Sequence, residues 1–147
     1  DLFGPRGEGY LSAALVDGEL RLPRAAPPAA LPPPTLLWSV LGVFRPPAGA
    51  TLAGAAPDGA DTRLEYAEAD ARWRFLLDSS GRLRRAEWDP PGEGRHTVEL
   101  EGAGPYGLPE RARYRDWAAY AELTLELDSA EHAEPFPPET WLPPGRP

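Results

Sequence analysis

The side chains of this chain that can do acid–base, nucleophilic or metal chemistry are few and poorly grouped. Only two histidines are present, His96 and His132. His132 lies between Glu131 and Glu134, but this acidic stretch lacks the i, i+4 pair of histidines that helical zinc sites use. His96 alternates with apolar residues, which predicts a hydrogen-bonded residue on the inner face of a strand. Neither histidine therefore indicates a catalytic or metal site.

The remaining polar residues lack a catalytic context as well. No serine stands in a nucleophile-elbow motif, no glycine loop of the phosphate-binding kind occurs, and Asp58 and Asp61 do not match the spacing of a calcium loop. Glu99 and Glu101 fall on the polar face of a predicted strand, where carboxylates are typical of solvation. With no cysteine in the chain, a thiol nucleophile is excluded. The sequence predicts no catalytic residue, metal, cofactor or enzymatic activity.

Length and charge narrow the class of protein further. The chain has 147 residues, which predicts a single domain over 1–147. Its net charge is −8, all 15 basic residues are arginine, and no basic cluster is free of nearby acids, so nucleic acid is excluded as a partner. Methionine is absent, and Leu2-Phe3-Gly4-Pro5 has the pattern of a strand end. We therefore expect a segment of a longer protein, and any targeting signal would lie upstream of it.

The clearest secondary-structure signal is in the last quarter of the chain. From Ala119 to Leu127 apolar residues occupy the odd positions and Glu122, Thr124 and Glu126 the even ones, which is the period of a strand with one wet face. Just before it, residues 111–115 alternate arginine with Ala and Tyr. Two neighbouring antiparallel strands would set an arginine row beside a glutamate row on the outer face. Their inner faces would then be apolar.

Further strands are predicted along the rest of the chain. Asp17-Gly18 indicates a hairpin between Tyr10–Val16 and Glu19–Leu22, and a two-residue loop pairs Val16 with Glu19. Additional strands are predicted at Thr62–Glu68, Arg72–Asp78, Arg82–Trp88 and Arg95–Glu101.

The hairpin turn Asp78-Ser79-Ser80-Gly81 joins two of these strands and raises a conflict of faces. A three-residue loop sets Leu77 opposite Leu83, which places Ala86 and Trp88 on the face of Leu76. Either a β-bulge intervenes, or both faces of the sheet are partly covered.

A single helix is predicted at Thr35–Phe44, between two Pro- and Ala-rich connectors at Pro23–Pro34 and Arg45–Asp61. Leu37 and Leu41 share one face with Val40 and Phe44, but the other faces are apolar too. A helix that is apolar all round must be buried or touch lipid, and this one is too short to span a bilayer. Two interpretations stay open: an ordinary core helix, or a mobile plug or interfacial element. The predicted fold class is α+β and β-dominated, a curved antiparallel half-barrel wrapped on this helix.

The chain carries a surplus of large hydrophobic residues, which are spread over predicted strands whose outer faces are charged. They indicate either an ordinary filled core or a cavity whose apolar lining holds an acyl chain. The candidate cavity residues are Leu37, Trp38, Leu41, Phe44, Trp73, Phe75, Leu123 and Leu125.

The order of these features resembles the bacterial lipoprotein-carrier superfamily, the LolA/LolB-like fold. The resemblance rests on the strand end at Leu2-Phe3-Gly4-Pro5, the hairpin, the Pro-flanked helix and the strand pair. It continues through Leu108-Pro109 with Arg113, Tyr114 and Asp116, then Leu123 to Leu127, and finally Phe136-Pro137-Pro138 with Trp141.

Members of this superfamily fold as eleven-stranded half-barrels lidded by short helices. The resemblance implies that the segment lacks the N-terminal helix and first strands of the domain. It further implies non-catalytic binding of an acyl chain or lipid-modified protein, contact with a membrane surface, and a place in the periplasm or on the periplasmic face of the outer membrane. The alternative is a structural or protein-interaction domain with a filled core and no ligand.

Overall fold

The computed structural model describes residues 32–131 together with the backbone of four short strands nearer the N-terminus. By contacts the chain divides into two compact units, Thr35–Ala130 and the remainder, Asp1–Pro34 with Glu131–Pro147. The second of these contains two separate antiparallel ribbons. In one, β1 (Leu2–Phe3) pairs with β2 (Gly9–Leu11), and in the other β3 (Ala14–Val16) pairs with β4 (Glu19–Arg21).

The predicted hairpin register is confirmed, because Val16 lies opposite Glu19 and Leu15 opposite Leu20. The prediction of one strand over Tyr10–Val16 is wrong, since β2 and β3 belong to different ribbons. The connector Pro23–Pro34 lies for the most part outside the described residues, as do His132, Phe136-Pro137-Pro138 and Trp141. The single domain over 1–147 stays a prediction.

The Thr35–Ala130 unit is built on one antiparallel meander of seven strands in chain order. Each strand pairs with the next along the chain, and the two ends of the sheet do not meet. The strands are β5 (Thr51–Asp58), β6 (Asp61–Glu68), β7 (Ala71–Leu77), β8 (Leu83–Asp89), β9 (His96–Glu101), β10 (Arg111–Asp116) and β11 (Ala121–Glu126). The predicted fold class is confirmed: an open, β-dominated sheet with one short helix packed against it.

Helix α1 spans Pro34–Val40 and ends four residues before the predicted end at Phe44. Gly42 stops it, with a φ of +78°. The Gly42 N–H donates to the Ser39 carbonyl at 2.9 Å and the Val43 N–H to the Trp38 carbonyl at 3.0 Å. This pair of bonds is the Schellman motif, in which a glycine takes the left-handed conformation just past the helix.

The buried stripe of α1 also differs from the prediction. Leu36 and Val40 face the sheet and are buried, whereas Leu37 is half-buried and Leu41 is 46% exposed. Leu36 and Val40 are one helical turn apart, so they can enter the core together.

The soft connector predicted at Arg45–Asp61 contains a strand, β5, and this prediction is wrong for residues 51–58. Its sequence shows no apolar alternation, and Pro57 argues against a central strand. However, β5 lies at the edge of the sheet with β6 as its strand neighbour. An edge strand tolerates proline and a bulge, and β5 has a shift of register between Leu52 and Gly54.

The turn between β7 and β8 forms as its residue types predict. Gly81 has a φ of +82°, and the Asp78 carboxylate accepts hydrogen bonds from the N–H groups of Ser80 and Arg82 at 2.8 and 3.0 Å. The conflict of faces beyond this turn is resolved by a bulge. Leu77 pairs with Leu83 but Leu76 pairs with Arg85. The extra residue, Arg84, returns Ala86 and the residues after it to the apolar face.

Candidate functional site

The inner face of the sheet carries a row of rings that crosses four strands. In register, Tyr66 lies opposite Trp73, Trp73 opposite Trp88, and Trp88 opposite His96. The Trp73 and Trp88 rings stack with centroids 5.1 Å apart, and Trp88 and His96 stack at 4.9 Å. Stacked pairs of this kind add about 0.5–1.5 kcal/mol beyond the area that they bury. The row makes this face apolar and aromatic, with an imidazole at its end.

A second row lies beside the first and forms the centre of the core. Phe75 is fully buried and pairs with Leu64 and Ala86 across the neighbouring strands. Its ring lies edge-on to that of Phe44 at 5.1 Å and to that of Tyr66 at 5.9 Å. Leu36 of α1 belongs to the same cluster. The space between helix and sheet is thus occupied by the chain's own side chains.

The structure distributes the predicted cavity residues over three environments. Trp73 and Phe75 lie in the core, and Phe44, Leu123 and Leu125 are half-buried against it. Leu37 and Trp38 are half-buried on α1, and Leu41 is exposed. Three clefts of the described residues have volumes of about 270, 600 and 280 Å³, and Phe75, beside the last, is the one member of the set among their lining residues. None of these three clefts is lined by the candidates as a set.

Three tryptophans near this face have indole N–H groups without a hydrogen-bond partner among the described residues. The groups belong to Trp38, Trp73 and Trp88, and their nitrogen atoms are buried. A buried donor that is left unpaired costs about 1–3 kcal/mol. These groups are therefore available to an acceptor, such as a carboxyl or ester oxygen, that comes within reach.

The polar end of the aromatic row is a small hydrogen-bonded group on β9 and β10. The Nδ1 atom of His96 and the hydroxyl of Tyr114 share a hydrogen bond of 2.9 Å, and a carboxylate oxygen of Asp116 lies 3.8 Å from Nδ1. Both rings are buried. Burial, reinforced by the Asp116 charge, raises the pKa of Tyr114 to about 12. The prediction that His96 is a buried, hydrogen-bonded strand residue is confirmed, whereas its partner Tyr114 was not predicted.

We expect Tyr114→Phe to destabilise the fold by about 1–2 kcal/mol at neutral pH, because His96 loses its hydroxyl partner. A tyrosine whose pKa is raised by folding contributes stability that is complete below its ordinary value of 10.0 and is lost as the pH rises towards about 12. The stability difference between wild type and variant should therefore shrink over that range. Urea denaturation at several pH values measures it. Tyr106→Phe, at an exposed tyrosine, is the control and should change stability by less than about 0.5 kcal/mol; equal effects of the two variants would contradict the prediction.

The outer face of the sheet carries the predicted rows of opposite charge. Arg111 faces Glu126 with an N–O distance of 2.7 Å, and Arg115 faces Glu122 at 2.8 Å. On the other side of the sheet's centre, Arg74 contacts Glu87 at 3.1 Å. Each of these pairs crosses from one strand to the next. The prediction of an arginine row beside a glutamate row is confirmed.

Metal-binding groups and membrane-spanning helices were also sought in the described part of the chain. Residues 32–131 contain no group of three or more His, Cys, Asp or Glu side chains that could hold a metal ion. Within the same residues, no helix is long and apolar enough to cross a membrane. No protein-family model matches the chain, and comparisons with curated proteins and with solved structures give no significant match.

Proposed function

We propose that this chain binds an acyl chain or a lipid-modified protein in the bacterial cell envelope, without catalysing a reaction. The observation that carries this proposal is the incomplete cover of the apolar residues of α1 and of the segment just after it. The sheet buries Leu36 and Val40, while Leu41 and Val43, just beyond the helix, are 46% and 40% exposed. Exposed apolar residues grouped at one helix end are typical of surfaces that meet a lipid or another protein.

The proposed binding site lies between α1 and the aromatic row, with α1 as a lid. Because the core is filled, an acyl chain enters only when α1 moves away from the sheet, and the ligand then replaces the helix against Trp73 and Phe75. The indole N–H groups of Trp73 and Trp88 would donate to the carboxyl or ester oxygens of the ligand, which removes the penalty of leaving them unpaired. Leu41 and Val43 would contact the membrane surface on the periplasmic side. The LolA/LolB-like resemblance is part of this proposal.

The alternative is a structural or protein-interaction domain that binds no lipid. It is favoured by the close packing of the core, since Leu36, Phe75 and Val98 are fully buried among the chain's own side chains. The two functions make opposite predictions for purified protein.

We expect purified protein to carry co-purified fatty acid and to bind dansylaminoundecanoic acid with at least micromolar affinity. A dissociation constant of 1 μM corresponds to about −8 kcal/mol, and burial of about ten methylenes at about 0.8 kcal/mol each supplies this before the costs of binding. Mass spectrometry of organic extracts and a fluorescence titration measure both quantities. Dansylglycine, which lacks the alkyl chain, is the control probe and should not saturate. A lipid-free extract together with no saturable binding would favour the filled-core alternative.

A further inference from the structure

Strand β11 ends the seven-stranded sheet, and among the described residues no strand pairs with its other side, its open edge. Its strand partner among the described residues is β10, paired over six residues without a shift of register. Ala121, Glu122, Thr124 and Glu126 are exposed, with the side chains of Glu122 and Glu126 48% and 66% accessible. β11 carries neither proline nor a bulge, and an edge strand exposes N–H and C=O groups that can pair with a further strand. The opposite edge, β5, has both Pro57 and a bulge, so the two edges are not equivalent.

The hydrogen-bond pattern fixes which backbone groups of β11 are free for such a strand. The Leu127 N–H donates to the Glu110 carbonyl at 2.9 Å. Hydrogen-bonded and non-hydrogen-bonded pairs alternate in an antiparallel ladder. The N–H and C=O groups of Leu123 and Leu125 therefore point towards β10, and those of Glu122, Thr124 and Glu126 point out from the edge.

The side chains along this edge of β11 determine which charges a partner strand must carry. Across the sheet the outer-face charges alternate, with Glu101 facing Arg111 and Arg111 facing Glu126. Glu122 is held in its charged form because a hydrogen bond from Arg115 lowers its pKa. A strand added to β11 continues this alternation only if it sets basic side chains opposite Glu122 and Glu126. On the inner face it would continue the row that ends at Leu123 and Leu125.

A second copy of β11 does not meet this requirement. Antiparallel self-pairing centred on Thr124 would place Glu122 of each copy directly opposite Glu126 of the other. Like charges directly opposite one another destabilise a strand pair. Self-pairing in this register is therefore destabilised, whereas a basic partner strand meets the requirement.

We propose that the free edge of β11 binds an extended segment of another protein as an eighth, antiparallel strand of this sheet. The segment would carry Arg or Lys at two positions four residues apart, facing Glu122 and Glu126, with apolar residues at the intervening positions opposite Leu123 and Leu125. Main-chain hydrogen bonds supply affinity in this mode of recognition, and the alternate side chains supply specificity. Residues 111–115 of β10 already have this pattern and use it against β9 and β11, so they provide a probe sequence. The proposal is independent of acyl binding.

The test uses the full chain labelled with ¹⁵N and the peptide acetyl-Arg-Ala-Arg-Tyr-Arg-amide. The largest amide shift changes are expected at Glu122, Thr124 and Glu126, and the matched peptide with glutamate in place of each arginine should bind at least tenfold more weakly. Affinity for the arginine peptide should fall as salt is raised. Shift changes confined to other parts of the chain, or equal binding of the two peptides, would overturn the proposal.

Thr124→Pro tests the backbone part of the inference. It removes an N–H that points out from the edge and leaves the ladder to β10 intact, which is the place where a strand tolerates proline. We expect at least tenfold weaker peptide binding with the melting temperature and acyl-probe affinity of the wild type. Unchanged peptide binding in the folded variant would overturn the proposal.

The double variant Glu122→Gln with Glu126→Gln covers the case in which Thr124→Pro does not fold. It should bind the two peptides with affinities that agree within about threefold, because the opposed charges that separate them are gone. A retained tenfold preference for the arginine peptide would overturn the proposal. Concentration-dependent self-association through this edge, measured by sedimentation, would overturn it too.

Discussion

Replacing Phe75 with alanine is expected to destabilise the sheet and helix by about 3–5 kcal/mol, the range for truncation of a buried aromatic ring. Phe75 is fully buried, and its ring contacts those of Phe44, Tyr66 and Trp73 at centroid distances of 5.1 to 6.5 Å. The loss includes the transfer energy of the ring and the cavity that remains. Because domains of this size are stable by about 5–15 kcal/mol, this loss removes a large part of the total stability. Urea denaturation followed by tryptophan fluorescence measures the change.

Two further variants show whether the effect comes from packing. Phe75→Leu keeps most of the volume and should cost less than about 1.5 kcal/mol. Tyr120→Ala removes an exposed ring and should change stability by less than about 0.5 kcal/mol. If Phe75→Ala were as mild as Tyr120→Ala, the space between α1 and the sheet would not be packed in solution. That outcome would also remove the main argument for a filled core.

Strands β10 and β11 were predictable because one face of each strand packs against the core and the other carries charged residues. Arg111 and Arg115 alternate with Ala112 and Tyr114, and the structure buries the latter pair while the arginines face Glu126 and Glu122. A one-residue slip would invert every side chain, so period-2 sequences specify register strongly. The same pattern in β9 correctly placed His96 on the inner face.

At the bulge in β8, the local sequence pattern is not enough to predict the structure. A regular hairpin with Leu77 opposite Leu83 would have placed Ala86 and Trp88 on the face of Leu76, and the sequence left a bulge and two-sided burial as alternatives. Which one forms depends on what covers the sheet, and that cover comes from distant residues. The partner of His96 escaped prediction for a related reason. Tyr114 reaches it only in the register of β9 with β10, which the loop between them sets.

Strand β5 and the orientation of α1 were beyond sequence reasoning. The residues of β5 lack β-branched and aromatic side chains apart from Thr51, so pairing with β6 and not local propensity makes it a strand. Helix α1 is apolar on every side, so its sequence has no preferred inner face. The sheet selects Leu36 and Val40, whereas Leu37 was favoured from the sequence. Gly42 was a usable signal for the helix end, since glycine is enriched just past the last turn.

Trp38 is the residue that distinguishes between the two interpretations of α1, a lid over a ligand and an ordinary core helix. Its side chain is half-buried on α1, with the Arg45 guanidinium 5.2 Å from the centre of its ring and the indole N–H unpaired in the described structure. It does not belong to the buried cluster that holds Leu36 and Val40. Trp38 therefore lies outside the buried core cluster, and the proposed function assigns its ring to contact with the ligand.

We expect Trp38→Ala to lower the stability of the ligand-free protein by less than about 1 kcal/mol, because a half-buried ring is removed without opening a core cavity. The same variant should bind dansylaminoundecanoic acid at least tenfold more weakly, since the indole would contact the bound chain. Denaturation and probe titration on one preparation give both numbers.

Leu36→Ala is the matched control on the same helix. Leu36 is fully buried against the sheet, so its truncation should cost about 2–5 kcal/mol. A lid therefore predicts that the two variants separate, with the binding defect at Trp38 and the stability defect at Leu36. If Trp38→Ala instead costs about 3–5 kcal/mol and shows no binding defect of its own, α1 is an ordinary core helix. The acyl-binding proposal would then lose its residue-level support, while the open edge at β11 would be unaffected.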